Sequence, residues 1–344
     1  MTTPTDTDVR RLHAEVFIID ATATAVIDTA YVDTLRAVGV DAAIYTVANC
    51  SFVQGDLVQD DLGRAGRKIA AWYRRLHELR EVVGLATSVR NLVALRRAGR
   101  IAIMFGMQNA SPMSDDVDLL DLYYELGVRL VQVTYNAGNY LGAGSGERRD
   151  SGLSALGREA IRRMNDLGIV IDVAHCGDRT TLETIDASQA PVACTHANAR
   201  ALANTPRNKP DEVLRAIAAT GGVVGVKHML GTQRTKTALE TTYRDVADHV
   251  EYMVSLMGID HVCIGTDFRG TSLPNPTKDD ELRATRRRWK HAYLGPRSAP
   301  QGFESVSDLP NLTKELICRG FRREDVEKVY GGNVLRVLTQ VLEA

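Results

Sequence analysis

Short apolar runs rich in β-branched residues alternate with longer amphipathic stretches along this chain, and that alternation limits the fold more than any other feature. Eight runs read as strands: Val16–Asp20, Asp41–Thr46, Ile101–Phe105, Arg129–Thr134, Ile169–Ala174, Pro191–Thr195, Gly222–Val226 and His261–Thr266. Largely apolar strands of this length suit a parallel sheet buried on both faces. The stretches between them, among them Leu62–Arg80, Leu156–Leu167, Asp211–Ala219 and Thr242–Met257, carry helical periodicity. The pattern implies βαβ units, and eight such units close into a (β/α)8 TIM barrel. A doubly wound open sheet is the alternative, but no glycine-rich dinucleotide loop follows the first strand. The tail Asn311–Ala344 reads as two or three helices broken at Gly331-Gly332-Asn333. With no linker or repeat in view, residues 1–344 are expected to form one domain.

Charge excludes one class of partner. Lys plus Arg number 42 against 43 Asp plus Glu, which leaves no basic footprint for nucleic acid. The densest basic cluster, Arg286 to Arg288 with Lys290 around Trp289, reads as a solvated face. Met1 to Val9 is polar and no long apolar segment follows, so the expectation is a cytoplasmic protein without membrane contact. Five dispersed cysteines without a CxxC pair point to reduced thiols rather than a disulfide frame.

In such barrels the active site forms at the C-terminal strand ends. Those ends, in order, present Asp20, Gln108, Tyr135-Asn136, His175, His196, Lys227-His228 and Asp267. Imidazoles and a carboxylate converging on one cavity suit zinc or a similar divalent ion. A lone histidine is more often structural, the reading given to His13, His77, His249, His261 and His291. His175 and His196 stand apart because each directly follows an apolar strand, and Asp267 ends the small-residue run Cys263-Ile264-Gly265-Thr266. Cys176 and Cys194 read as packing residues rather than nucleophiles.

Several fragments, in fixed order, resemble the membrane (renal) dipeptidase family. They are Asp150-Ser151-Gly152-Leu153, Ile171-Asp172-Val173-Ala174-His175, Thr195-His196-Ala197-Asn198-Ala199-Arg200, Pro206-Arg207-Asn208, Gly265-Thr266-Asp267-Phe268 and Gly331-Gly332-Asn333. The resemblance implies a barrel of the metal-dependent hydrolase type that cleaves small dipeptides with two zinc ions and forms a homodimer. By the same resemblance His175 and His196 match metal ligands. Asp267 matches the aspartate beside the metal-bound water, and Arg207 the arginine that takes a substrate carboxylate.

The departures fall on the first metal site. The family's His-x-Asp pair is Thr22 and Thr24 here, its bridging glutamate is Gln108, and its substrate-side histidine is Tyr135. Threonine is a weak zinc ligand, and a neutral amide cannot hold two cations together. The expectation is therefore at most one ion per chain, with His175 and His196 as ligands. Asp267 and Tyr135 are the catalytic candidates, and Arg207, Gln108 and Asn136 the substrate-binding ones. A metal-free pseudoenzyme or small-molecule binding protein on the same barrel is the alternative, and a lyase or deaminase reaction is a third. The segment Gly270–Gly302 is the expected specificity loop.

Overall fold

A computed structural model describes residues 4–53, 56–228, 240–268 and 299–343. Helix α1 (Asp6–Glu15) leads into β1 (Ile18–Ala23), α2 (Thr29–Ala37) and β2 (Val40–Ala48). A small antiparallel pair, β3 (Cys50–Val53) with β4 (Asp56–Gln59), precedes α3 (Leu62–Glu78), β5 (Val83–Leu85) and α4 (Val89–Arg97). Then come β6 (Ile101–Met107), α5 (Leu119–Glu125), β7 (Val128–Gln132), α6 (Ala155–Leu167), β8 (Val170–Asp172) and α7 (Asp178–Ala187). They are followed by β9 (Ala193–Cys194), α8 (Asp211–Ala219), β10 (Val223–Val226), α9 (Tyr243–Met257) and β11 (Val262–Ile264). Three C-terminal helices complete the order: α10 (Leu309–Cys318), α11 (Arg323–Glu327) and α12 (Asn333–Leu342).

Eight parallel strands run in the order β1-β2-β6-β7-β8-β9-β10-β11, one for each run read from the sequence. The β3–β4 pair and the short β5, which shares the edge of β6 with β7, were not among those runs. Side chains close the seam between β1 and β11 as much as main chain does. Asp267 N donates to Thr22 O (2.9 Å) and Thr24 N to Phe268 O (3.2 Å). The Asp20 carboxylate accepts from Thr266 N (2.8 Å) and Thr266 Oγ1 (2.5 Å).

The period of two along each strand sorts the side chains. Ile18, Ala43, Tyr45, Ile103, Phe105 and Val131 join the apolar shell beneath the helices. Ile19, Ala42, Ile44, Met104, Leu130, Val170, Ala193, Val223 and Cys263 instead form a second cluster with Val334, Val337, Leu338 and Val341 of α12. Helix α12 thus plugs the end of the barrel at which the strands begin. Following the inward positions toward the other end gives Thr46, Gln108, Gln132, Asp172, Thr195, Lys227 and Asp267. The barrel interior changes from apolar to polar along its axis, which confines polar chemistry to one mouth.

The break expected at Gly331-Gly332-Asn333 is not a break. The chain passes from α11 to α12 through a π-helical turn over Lys328–Gly332. A Cβ on Gly331 would run into the carbonyl oxygen of Phe17, so glycine here serves close packing against the barrel floor. Asn333 Nδ2 then donates to Ile259 O (2.7 Å) and Val262 O (2.8 Å), fixing the entry to α12. Among the described residues no helix is long and apolar enough to cross a membrane.

Candidate active site

The loop after β8 carries His175 and the loop after β9 carries His196, and both imidazoles are buried. Their Nε2 atoms lie 2.9 Å apart, the closest approach between the two rings' polar atoms. Each ring is held from behind through Nδ1. His175 Nδ1 donates to Asn136 Oδ1 at 2.7 Å. His196 Nδ1 faces Thr195 Oγ1 at 2.8 Å and Thr22 Oγ1 at 3.3 Å. Thr195 gives its hydroxyl proton to Asp172 Oδ2 (2.7 Å) and Thr22 gives its own to Ala21 O (2.7 Å). Both oxygens can therefore only accept, and the proton of His196 belongs on Nδ1. Each Nε2 then presents a bare lone pair to the other.

Two facing lone pairs repel unless a proton or metal ion lies between them. Protonation is opposed: burial, with Arg207 and neighbouring cationic groups, holds both imidazoles well below the usual histidine range. The donor set fits a divalent ion, since two imidazole nitrogens about 2.0–2.1 Å from a tetrahedral ion lie about 3.3 Å apart. Among the described residues, no group of three or more His, Cys, Asp or Glu side chains gathers as a ligand cluster. The described residues thus offer an ion two neutral nitrogens within a cationic surround.

Beside this pair opens a cavity of about 530 Å³, with Gln108, Tyr135, Thr24 and Asp267 in its wall. The Tyr135 ring stacks on His175, 4.0 Å between centroids and 26° between planes. Asp267 adopts φ 57°, a left-handed conformation that Asp tolerates better than most residues and that points to a constrained position. Gly265, two residues earlier, admits the carbonyl oxygen of Thr195 where a Cβ would collide. Gln108 is buried, its Oε1 accepting from Asn49 Nδ2 (3.3 Å) while its own Nε2 has no partner among the described residues.

Other expected residues sit further back. Arg207 is buried, with Nη1 on Ala174 O and Nη2 on His196 O (2.8 Å), so it braces the two histidine loops. Asn136, expected on the substrate side, has its amide oxygen on His175. Asp20 does not join the mouth as its strand-end position suggested; lying between inward-facing Ile19 and Ala21, it binds Thr266 across the seam. His228 Nδ1 donates to Thr266 O (2.5 Å), and Lys227 N to Asn198 Oδ1 (3.2 Å). Burial pushes the Cys176 thiol up and that of Cys194 up to about 12, as suits packing residues. His13 and His261 bond backbone carbonyls, of Val38 and Gly222. Residues 269–298, which hold most of Gly270–Gly302 with Trp289 and His291, lie outside the described residues.

The residues that sequence reading left without a role are Asp172, Thr195 and Lys209. Asp172 accepts from Ala174 N (3.0 Å), Thr195 N (2.9 Å) and Thr195 Oγ1, and so sets the His196 tautomer. Lys209 is fully buried and ties Cys176 O (2.7 Å) to Thr181 Oγ1 (3.0 Å) behind the His175 loop. A charged residue inside an apolar strand was the available signal for Asp172, because a buried carboxylate is costly unless bonded.

A parallel eight-stranded barrel with paired imidazoles and an aspartate at its mouth is an architecture of metal-dependent barrel hydrolases. The model of the membrane dipeptidase family, peptidase family M19, matches residues 4–282 and 291–344, and the chain belongs to that family. A dipeptidase of Aspergillus oryzae is 31% identical over 71% of this chain and 52% of its own length. An uncharacterized dipeptidase of Schizosaccharomyces pombe is 33% identical over 72% of this chain and 54% of its own. The chain thus spans about half the length of these curated relatives. An amidohydrolase structure from Pseudomonas aeruginosa superposes with a TM-score of 0.86 at 31% identity, covering 97% of this chain and 99% of that one. A Rhodobacter sphaeroides metallopeptidase bound to a phosphinate mimic of L-Ala-D-Ala shares the fold, with a TM-score of 0.79 at 17% identity over 95% of this chain and 99% of that one.

Proposed function

We propose that this chain hydrolyses a dipeptide or another small N-substituted amino acid with a free carboxylate, and works with a single divalent ion held by His175 and His196. The observation that carries the reading is the pair of bare Nε2 atoms 2.9 Å apart beside a cavity with Asp267 and Tyr135 in its wall. When bound, such an ion polarises a carbonyl and lowers the pKa of a water. Asp267 takes the proton of the attacking water and returns it to the departing nitrogen, so that water adds across the C–N bond. Tyr135 donates a hydrogen bond to the carbonyl oxygen as charge develops there. Arg207 has only two of its N–H groups committed among the described residues, which leaves donors for a carboxylate. Asn136 and Thr195 are positioning residues that keep both lone pairs forward.

The substituted first site supports a count of one. Thr22 and Thr24 spend their hydroxyls on Ala21 O and Phe268 O, and Gln108 adds no negative charge. Elemental analysis after loading with zinc and desalting tests the count, and product analysis on a dipeptide panel tests the reaction. One equivalent with water added to the products is expected. Two tightly held equivalents would overturn the single-ion reading. No metal and no hydrolysis would favour a binding protein. The dispersed cysteines, without a CxxC pair, suit a reducing cytoplasmic setting, and sedimentation would test the expected homodimer.

A further inference from the structure

The cavity reaches the histidine pair only through Tyr135, which stacks on His175, and extends to α3. Its far wall is one face of α3, where Lys68, Ala71, Trp72 and Arg75 recur at helical spacing. Val26 and Ile27 from the loop after β1 line it as well. Val26 is 54% exposed, an apolar side chain turned to solvent at the edge of a cavity. Trp72 is fixed from the barrel side by Tyr45 (4.9 Å between centroids, edge-on) and Phe105 (6.0 Å). It therefore offers the cavity a wall already held in place. Lys68 is neutralised by Asp60 (2.6 Å) and Cys50 O (2.9 Å). Among the described residues Arg75 has one ion pair, a partly exposed one with Glu78 at 3.4 Å, which leaves its guanidinium able to face the rim.

We propose that the α3 end of this cavity is the pocket for one side chain of the substrate, and that the Ala71-Trp72-Arg75 face of α3 selects a bulky apolar group, aromatic or long aliphatic, over small or cationic ones. The inference rests on the hydrolase reading and names the substrate class within it. A space of about 530 Å³ exceeds what two small residues fill and falls in the range that takes larger ligands. The lining is mixed, with Gln108, Tyr135 and Asp267 polar and Val26, Ile27, Ala71 and Trp72 apolar; selectivity for the side chain follows the methylenes buried against that apolar group. The rim of Arg75 turns away lysine-like and arginine-like groups.

The first test is binding without turnover. Tryptophan emission of the full-length protein is titrated with N-acetyl-L-leucine, N-acetyl-L-alanine and N-acetyl-L-lysine. At least tenfold tighter binding of the leucine compound than of the other two is expected. In Ala71→Leu, which fills the space beside Trp72, that preference should shrink at least tenfold, with the unfolding midpoint checking that the variant folds. Equal affinities in the wild-type chain, or binding of none of the three, overturns the pocket and needs no variant. The second test compares kcat/KM on leucyl and alanyl dipeptides with metal-loaded protein. Hydrolysis without preference overturns the pocket while the hydrolase reading stands. Selective binding without hydrolysis keeps the pocket and removes the hydrolase reading.

Discussion

Asp20 makes the stability of the barrel seam depend on pH. Burial pushes its carboxyl up to about 7 from 3.8, against the hydrogen bonds from Thr266 and Thr22 that favour the charged form. The folded chain therefore holds a proton that the unfolded chain releases near pH 3.8. A raised folded pKa means that the stabilisation is complete below the unfolded value and is lost as pH rises through the folded one. Across the whole window the loss is about 4 kcal/mol, at about 1.4 kcal/mol per pKa unit. Asp20→Asn removes the titration and keeps the bonding: its oxygen accepts from Thr22 N and Thr266 N, and its NH2 group donates to Thr266 Oγ1. Urea unfolding of both chains at pH 5, 6, 7 and 8 isolates the term, because every other titrating group is shared. The variant should gain on the wild-type chain by roughly 2 kcal/mol between pH 5 and 7 and level off above that. A difference that stays constant over this range, or that falls as pH rises, would show that Asp20 is charged in the fold and that the seam works differently.

Three further outcomes follow from the same geometry. Gly331→Ala drives a Cβ into the Phe17 carbonyl and should cost about 1–3 kcal/mol or more, read as a lower urea midpoint with an unchanged m-value. Asn136→Ala frees the His175 tautomer and should weaken zinc binding about 10–100-fold in competition with a chromogenic chelator; an unchanged affinity would deny Asn136 its positioning role. Thr22→His, Thr24→Asp and Gln108→Glu together should raise the metal content above that of the wild-type chain by elemental analysis, since they return ligands and a bridging charge to the mouth.

What the sequence disclosed of this site, and what it hid, follow from one geometric fact. The eight barrel strands were legible because each is apolar on both faces, and a continuous apolar run needs no knowledge of which side is inside. The β3–β4 pair escaped because Ser51, Asp56 and Gln59 interrupt any apolar run, and β5 because Val83-Gly84-Leu85 is too brief, whereas the equally short β8, β9 and β11 lie within longer apolar runs. His175 and His196 were singled out as the residues after strands, where loops begin, and the structure brings their rings together. The same rule misplaced Asp20, because the end of a strand says nothing about the face on which a side chain emerges. Parity does say it. Counting by twos from Ile44, Leu130, Val170 and Ala193, all in the apolar floor packed on α12, arrives at Thr46, Gln132, Asp172 and Thr195 in the polar mouth. It arrives at none of the residues that face the helices. Apolar floor and polar mouth are thus one pattern read at two heights. Asp172 had to be explained by a role beneath the histidines once its inward parity was fixed, because an inward carboxylate that deep stays only where donors surround it. The α3 face of the cavity has no such signature. Lys68, Ala71, Trp72 and Arg75 read equally well as the flank of any amphipathic helix, and only the gap between α3 and the loop after β1 turns them into the wall of a pocket.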